Sequence, residues 1–313
     1  MPRVIPVETD ETLELGDVVE MLSTGDFDAR DEDNFASWGL ALKKLANNRR
    51  FLTDLVIDEL KDHCHDQVRE NQYSSQVIML HSRSDRFMMR ANFWPAKGDS
   101  VVHNSGTNPF FYGVPHDHNF SFLTVGYLGP GYWSEYYEYD YARVLGHPGE
   151  AVDLRFVEKA KLDLGKVMLY RTHRDVHNQL PADEMSISLN ILEASHDVGM
   201  RDQYRFDLAN KRIDGIMTIT SLEPLLALSA HFGGGEGIDL LDTFAAKHPS
   251  DRIRFKALQA RAGALKDLDA RIALYERAAR SSNRFLAAMA RIEADKLERG
   301  RGWIEGTALQ AAE

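Results

Sequence analysis

Along the first seventy residues apolar positions recur at spacings of three and four. Leu13, Val18, Val19, Met21 and Leu22 precede a Ser23-Thr24-Gly25 break, and Trp38, Leu40, Leu42, Leu45, Phe51, Leu52, Leu55, Val56 and Leu60 continue the pattern beyond it. That period predicts two or three amphipathic helices within residues 1–70. The acid-rich stretch from Asp26 to Asp33 reads as a solvated turn between them. From about Ser74 to Thr220 the pattern changes to short aromatic and β-branched runs, at 76–81, 86–94, 121–128, 134–144, 152–158, 167–170, 184–192 and 213–220, separated by Gly, Pro, Asn or Asp. Many short strands punctuated in this way predict a β-sandwich or barrel over residues 71–220. Gly129-Pro130-Gly131, flanked by two such runs, predicts a hairpin. Residues 221–313 are rich in Ala, Leu, Arg and Glu and predict helices. Phe255 and Phe285 lie thirty residues apart in similar contexts, which leaves helical-hairpin repeats open beside a plain bundle. The run Gly233-Gly234-Gly235-Glu236-Gly237 lacks the Gly-Lys-Ser/Thr end of a phosphate loop and reads as a flexible interhelical connection.

Composition narrows the function classes. With 37 basic against 48 acidic residues the formal charge is −11, which disfavours nucleic acid as a partner. No run approaches the roughly 18 apolar residues of a membrane span, and Met1 to Glu20 lack a basic segment followed by an apolar one. A cytoplasmic protein without membrane insertion is the expectation. The single cysteine, Cys64, excludes an intramolecular disulfide and a structural cysteine-based zinc site. Neither a Gly-x-Ser-x-Gly elbow, a Gly-x-Gly-x-x-Gly loop nor a His-Glu-x-x-His motif is present, which disfavours the usual hydrolase, dinucleotide and zinc-protease readings. Twelve histidines remain as the chemical resource.

Their densest arrangement is Pro115-His116-Asp117-His118, followed about sixty residues later by His173-Arg174-Asp175-Val176-His177. Alternate residues of a strand project to one face, so His116 and His118 point together and Asp117 faces away. A third ligand must come from another strand, and His177 and His173 are the two sources. Three neutral imidazoles leave open positions on a divalent first-row ion, as catalysis requires. Arg90, inside the apolar run 87–94, would be costly in a barrel unless it met a carboxylate of protein or substrate, although alternation could equally turn it outward. Gln179 and Asn190, on strands of the same zone, are candidates to hydrogen-bond a bound ligand or a metal-bound water. The run Asp62-His63-Cys64-His65-Asp66 lies at the end of a helical segment, where consecutive side chains splay by about 100° and do not converge on one ion.

Gly113, His116, His118 and Gly129, with Gly165 and His177, resemble the two motifs of the cupin superfamily over about 120 residues. The resemblance implies a mainly β fold with α, a cupin-like β-barrel (double-stranded β-helix) flanked by N-terminal and C-terminal helical regions. Counting from Gly165, the second motif favours His177 over His173. Phe122 and Leu123 stand where many cupins carry a ligating glutamate, which is similar to the three-histidine iron type. The segment His116 to Leu123, leading to Leu128-Gly129, and Trp94 upstream resemble the thiol dioxygenases, but their Ser-x-His-x-Tyr set is replaced by Ser188-Leu189-Asn190-Ile191-Leu192. The metal chemistry carries over and the thiol substrate does not. The implied function is a mononuclear non-heme Fe(II)-dependent oxygenase or dioxygenase, taking O2 and a small polar molecule. The alternatives are a cupin isomerase or hydrolase using another divalent metal, and a non-enzymatic ligand- or partner-binding cupin. A lid and a homodimer surface are among the roles open to the helices.

Overall fold

In the computed structural model, which describes residues 1–74, 76–82 and 85–310, the N-terminal apolar pattern becomes a short strand and five helices. These are β1 (Arg3–Ile5), α1 (Leu15–Thr24), α2 (Glu32–Ser37), α3 (Gly39–Asn47), α4 (Phe51–Lys61) and α5 (His65–Glu70). The acidic stretch does local work in this region: the Asp31 carboxylate accepts from the backbone N–H groups of Asp33 and Asn34 at 2.9 and 3.0 Å and caps α2.

The strand-rich zone contains β2 (Val77–His81), β3 (Phe87–Trp94), a short helix α6 (Ser100–Ser105), β4 (Phe122–Leu128), β5 (Trp133–Glu138), β6 (Arg155–Lys161), β7 (Val167–Tyr170), β8 (Asp175–Gln179), β9 (Ser186–Glu193), β10 (Tyr204–Asp207) and β11 (Arg212–Ile216). They build a six-stranded antiparallel sheet in the order β1-β7-β4-β9-β3-β2, a three-stranded sheet β6-β5-β8 and the pair β10-β11. The mainly β middle of the chain is thus built from stacked antiparallel sheets, with the N-terminal helices against the larger one. Strand alternation assigns each face of the large sheet. Met89, Ala91, Leu123, Val125, Leu169, Leu189 and Ile191 are buried in one cluster with Val18, Leu22, Phe35, Leu42 and Leu45 of the N-terminal helices. The alternate residues Trp94, Phe122, Met168, Tyr170 and Leu192 belong to a second cluster with Tyr132 and Tyr136.

The Gly129-Pro130-Gly131 turn does not close a hairpin. β4 pairs with β7 and β9, whereas β5 pairs with β6 and β8, so the turn carries the chain from one sheet to the other. Both glycines have positive φ, +77° and +84°, and a Cβ on Gly131 would stand 1.9 Å from the Leu162 carbonyl oxygen. Turn chemistry specifies a reversal of direction; it does not specify which strand the chain pairs with afterwards.

The chain divides into two compact units. One consists of Met1–Arg143, Ala151–Val198 and Gln203–Asp214, and the other of Val144–Glu150, Gly199–Asp202 and Gly215–Glu313, in which 311–313 lie outside the described residues. The N-terminal helices therefore share a unit with the barrel. The second unit carries α7 (Leu222–Phe232), α8 (Gly234–Lys247), α9 (Asp251–Gly263), α10 (Leu268–Ala278) and α11 (Arg284–Gln310). Phe255 and Phe285 meet in one core with Leu258, Tyr275 and Ala290. Arg252 is buried there, bonded to Asp202 at 2.6 Å, to Glu223 and to the Gly199 carbonyl. The glycine run is not a flexible connection, because α8 begins within it. A Cβ on Gly237 would lie 2.4 Å from the Ser229 carbonyl oxygen, so glycine lets α8 approach the end of α7.

Candidate metal centre

His116 and His118 are held in register by backbone bonds on two sides. His116 exchanges both backbone hydrogen bonds with His177 of β8, at 3.1 and 2.9 Å, and such a directly opposed antiparallel pair projects its side chains to one face. On the other side Phe206 N–H donates to the Pro115 carbonyl and Asp117 N–H to that of Tyr204. Alternation then brings His118 to the face of His116 and turns Asp117 to the back. There the fully buried Asp117 carboxylate accepts from the Tyr139 hydroxyl and from the Tyr204 backbone N–H, both at 2.6 Å. Burial and the Asp117 charge hold the Tyr139 hydroxyl well above the usual phenol range, so it stays a donor.

The three Nε2 atoms converge. His177 Nε2 lies 3.1 Å from that of His118 and 3.2 Å from that of His116. Metal–imidazole bonds of about 2.1 Å at octahedral or tetrahedral angles place ligand nitrogens roughly 3.0–3.4 Å apart, so both separations from His177 fit one ion, and one ligand atom from each of the three residues lies within 4.8 Å of the others. His116 Nδ1 sits 2.7 Å from the Val114 carbonyl oxygen, which fixes its proton there and turns the Nε2 lone pair inward. The Nδ1 atoms of His118 and His177 are buried without a hydrogen-bond partner among the described residues, and their rings are held by packing against Phe122 and Tyr170. Burial pushes His116 down to about 4 and keeps His118 and His177 well below the usual imidazole range. All three are therefore neutral at pH 7, the form that ligates a metal.

The sign of a pH effect follows from these depressed values. At a pH between the unfolded value near 6.5 and the folded values, the unfolded chain binds more protons than the folded one, so stability rises with pH. The metal-free protein is expected to lose stability as pH falls from about 6.5 toward 4. Urea midpoints measured across that window, in the wild type and a His116→Ala/His118→Ala/His177→Ala triple variant, check this; equal pH slopes would refute it.

The histidines open onto a cavity of about 160 Å³. Arg90, Gln179 and Asn190 all line it. Arg90 faces inward because Met89 and Ala91, its neighbours on β3, are committed to the helix-covered face. It stands opposite Asn190 of β9, its guanidinium lies 4.7 Å from the Tyr73 ring centre, and no carboxylate is paired with it among the described residues. Gln179 follows His177 by two residues on β8 and so shares its face. Phe111, Phe120, Phe122, Trp94 and Tyr132 supply an aromatic wall.

His173 does not join the cluster of three. It occupies a left-handed backbone position, φ +56°, ahead of β8, and its ring stacks on Tyr141 at 3.8 Å and 3°. The Asp62–Asp66 run contains two left-handed residues, His63 and Cys64, and forms no metal-binding group among the described residues. Sequence reasoning missed Gln76 and Asn92, which also line the cavity. Asn92 carried a usable signal, since it follows Arg90 by two in the same strand; Gln76, just outside β2, carried none.

No family model matches this chain, and no curated protein matches it in sequence. Among solved structures it is similar to a chain of the DMSP lyases RdDddP and RnDddQII, at 11% identity and TM-score 0.23, over 37% of this chain and under half (46%) of that one. Hydroquinone 1,2-dioxygenase from Sphingomonas sp. TTNP3, with 4-hydroxybenzoate bound, is matched at 8% identity and TM-score 0.27, over 41% and 71% of the two chains. DMSP lyase DddQ from Ruegeria pomeroyi DSS-3 is matched at 14% identity and TM-score 0.24, over 63% and 78%.

Proposed function

We propose that this chain is a mononuclear non-heme Fe(II)-dependent oxygenase or dioxygenase acting on a small polar molecule, with His116, His118 and His177 as the protein ligands. The observation that carries this reading is the convergence of three neutral imidazoles on a cavity that also holds an arginine with no carboxylate partner among the described residues. Iron bound there would supply a Lewis-acidic centre with open positions for dioxygen and substrate. The protein's part is to bind, orient and shield. Arg90 receives an anionic oxygen group of the substrate, because a guanidinium buried without a carboxylate is stabilised by one that arrives with the ligand. Asn190, directly across from Arg90, and Gln179, beside His177, hydrogen-bond the parts of the substrate nearest the ligands. The aromatic wall keeps water from the reacting atoms.

Elemental analysis after anaerobic purification with iron supplied, followed by oxygen-uptake measurements on a panel of small carboxylates, tests the assignment. One equivalent of iron with uptake is expected. Absence of any transition metal would sink the reading, and zinc, nickel or manganese without oxygen uptake would favour an isomerase or hydrolase instead. Arg90→Met should retain the metal and lower kcat/KM about ten- to a hundredfold, chiefly through KM, as loss of a hydrogen bond to a charged group does. An unchanged KM would remove Arg90 from the site.

A further inference from the structure

Four carboxamides line the cavity, and none of their side chains has a hydrogen-bond partner among the described residues. Gln76, Asn92, Gln179 and Asn190 are 3, 7, 5 and 2% exposed. Gln76 Nε2, Asn92 Oδ1, Gln179 Oε1 and Asn190 Nδ2 are buried with no partner among the described residues. Leaving a buried polar group unpaired costs about 1–3 kcal/mol, and native proteins carry few such groups. Elsewhere in the same unit amides are used: Gln67 donates to and accepts from the Met79 backbone at 2.9 Å, and Asn119 donates to the Val198 carbonyl at 2.8 Å. Four unsatisfied amides around one cavity are what a bound polar molecule would resolve.

Gln179 and Asn190 already have a role beside the metal ligands, but Gln76 and Asn92 do not. Asn92 shares the inward face of β3 with Arg90, and the Gln76 carbonyl accepts from Phe93 N–H at 2.8 Å, which places both amides at the same end of the β2–β3 pair. An amide offers a donor and an acceptor, and the group it reads must answer with both. We propose that Gln76 and Asn92 form a specificity subsite, and that the substrate is a small acid carrying a second, uncharged group that both donates and accepts hydrogen bonds: a carboxamide or a hydroxyl. This rests on the assignment of the substrate's anionic group to Arg90. The size is bounded too, since a cavity of about 160 Å³ is close to the roughly 150 Å³ that accommodates benzene.

Calorimetric titration of the metal-loaded protein with butyrate, succinamate and 4-hydroxybutyrate tests the subsite. Succinamate or 4-hydroxybutyrate is expected to bind at least about tenfold more tightly than butyrate, because a site built to hydrogen-bond a polar group rejects the analogue lacking it; the preferred acid identifies the group. Gln76→Leu and Asn92→Leu should each reduce the preference to below about threefold while butyrate affinity and metal content hold. Neither substitution removes a protein hydrogen bond, so neither should lower the thermal midpoint, which a structural role for these amides would require. Equal affinities for the three acids in the wild type, or a preference that survives both substitutions, would overturn the proposal. Arg90→Met is the separate control: it should weaken all three acids alike without changing their order. If it weakens none, the anion assignment fails, and the ranking of the acids still judges Gln76 and Asn92.

Discussion

Replacing any one of His116, His118 and His177 by Ala is expected to weaken metal binding about a hundred- to a thousandfold. Four-ligand zinc sites bind with roughly 10–16 kcal/mol, or about 2.5–4 kcal/mol per ligand, and a three-ligand site has no redundancy to soften the loss. His116→Ala and His118→Ala should be nearly equivalent, because their Nε2 atoms stand 3.2 and 3.1 Å from that of His177. The folded state should survive all of them. Each removes a buried imidazole whose Nε2 crowds others of its kind, and replacing such a group by a small apolar one is not the loss of a protein hydrogen-bond network. For His116 the bond to Val114 is also lost, so that variant should be the least stable of the three. His173→Ala is the matched control and should leave metal affinity unchanged. Competition titration against a chromophoric chelator, with thermal melts of the metal-free proteins, reads both quantities. Metal affinity within tenfold of wild type in any of the three variants would remove that histidine from the ligand set.

Asp117→Ala is expected to be the most destabilising single change near the site, at about 2–6 kcal/mol. Its carboxylate lies at 0% exposure between His116 and His118 in the chain and holds the Tyr139 hydroxyl and the Tyr204 N–H at 2.6 Å. Removing it leaves two buried donors without that acceptor, each costing about 1–3 kcal/mol. Those bonds tie the His116–His118 segment to β10 and to the residue that follows β5, so metal affinity should also fall, by the ten- to hundredfold typical of groups that orient a ligand. Asp117→Asn keeps one acceptor oxygen and should land between wild type and Ala in both respects. Urea denaturation with the same chelator competition gives the two readouts. An Asp117→Ala variant within about 1 kcal/mol of wild type would show that packing alone positions the segment.

What could be read locally was read from period and residue type. Alternating and helical patterns located a strand-rich middle between two helical regions, and the two-residue spacing of His116 and His118 put two imidazoles on one face and Asp117 on the other. Those features need only the geometry of a single strand or helix, which neighbouring residues encode. What failed or stayed open depended on which strand lies beside which. The Gly129-Pro130-Gly131 turn joins two sheets because β4 finds β7 and β9 as partners, and no residue of the turn carries that information. Arg90 points inward because helices cover the opposite face of β3. The missed amides, Gln76 and Asn92, meet the histidines only across the cavity. The sequence by itself therefore determined the fold class and the paired histidines. Tertiary structure selected the partner: pairing of His116 with His177 carries that imidazole into the cluster, while the left-handed turn at His173 sends its ring against Tyr141. Register between segments sixty residues apart is set by the packing of the whole barrel, and a spacing of four residues along the chain could not distinguish the two histidines.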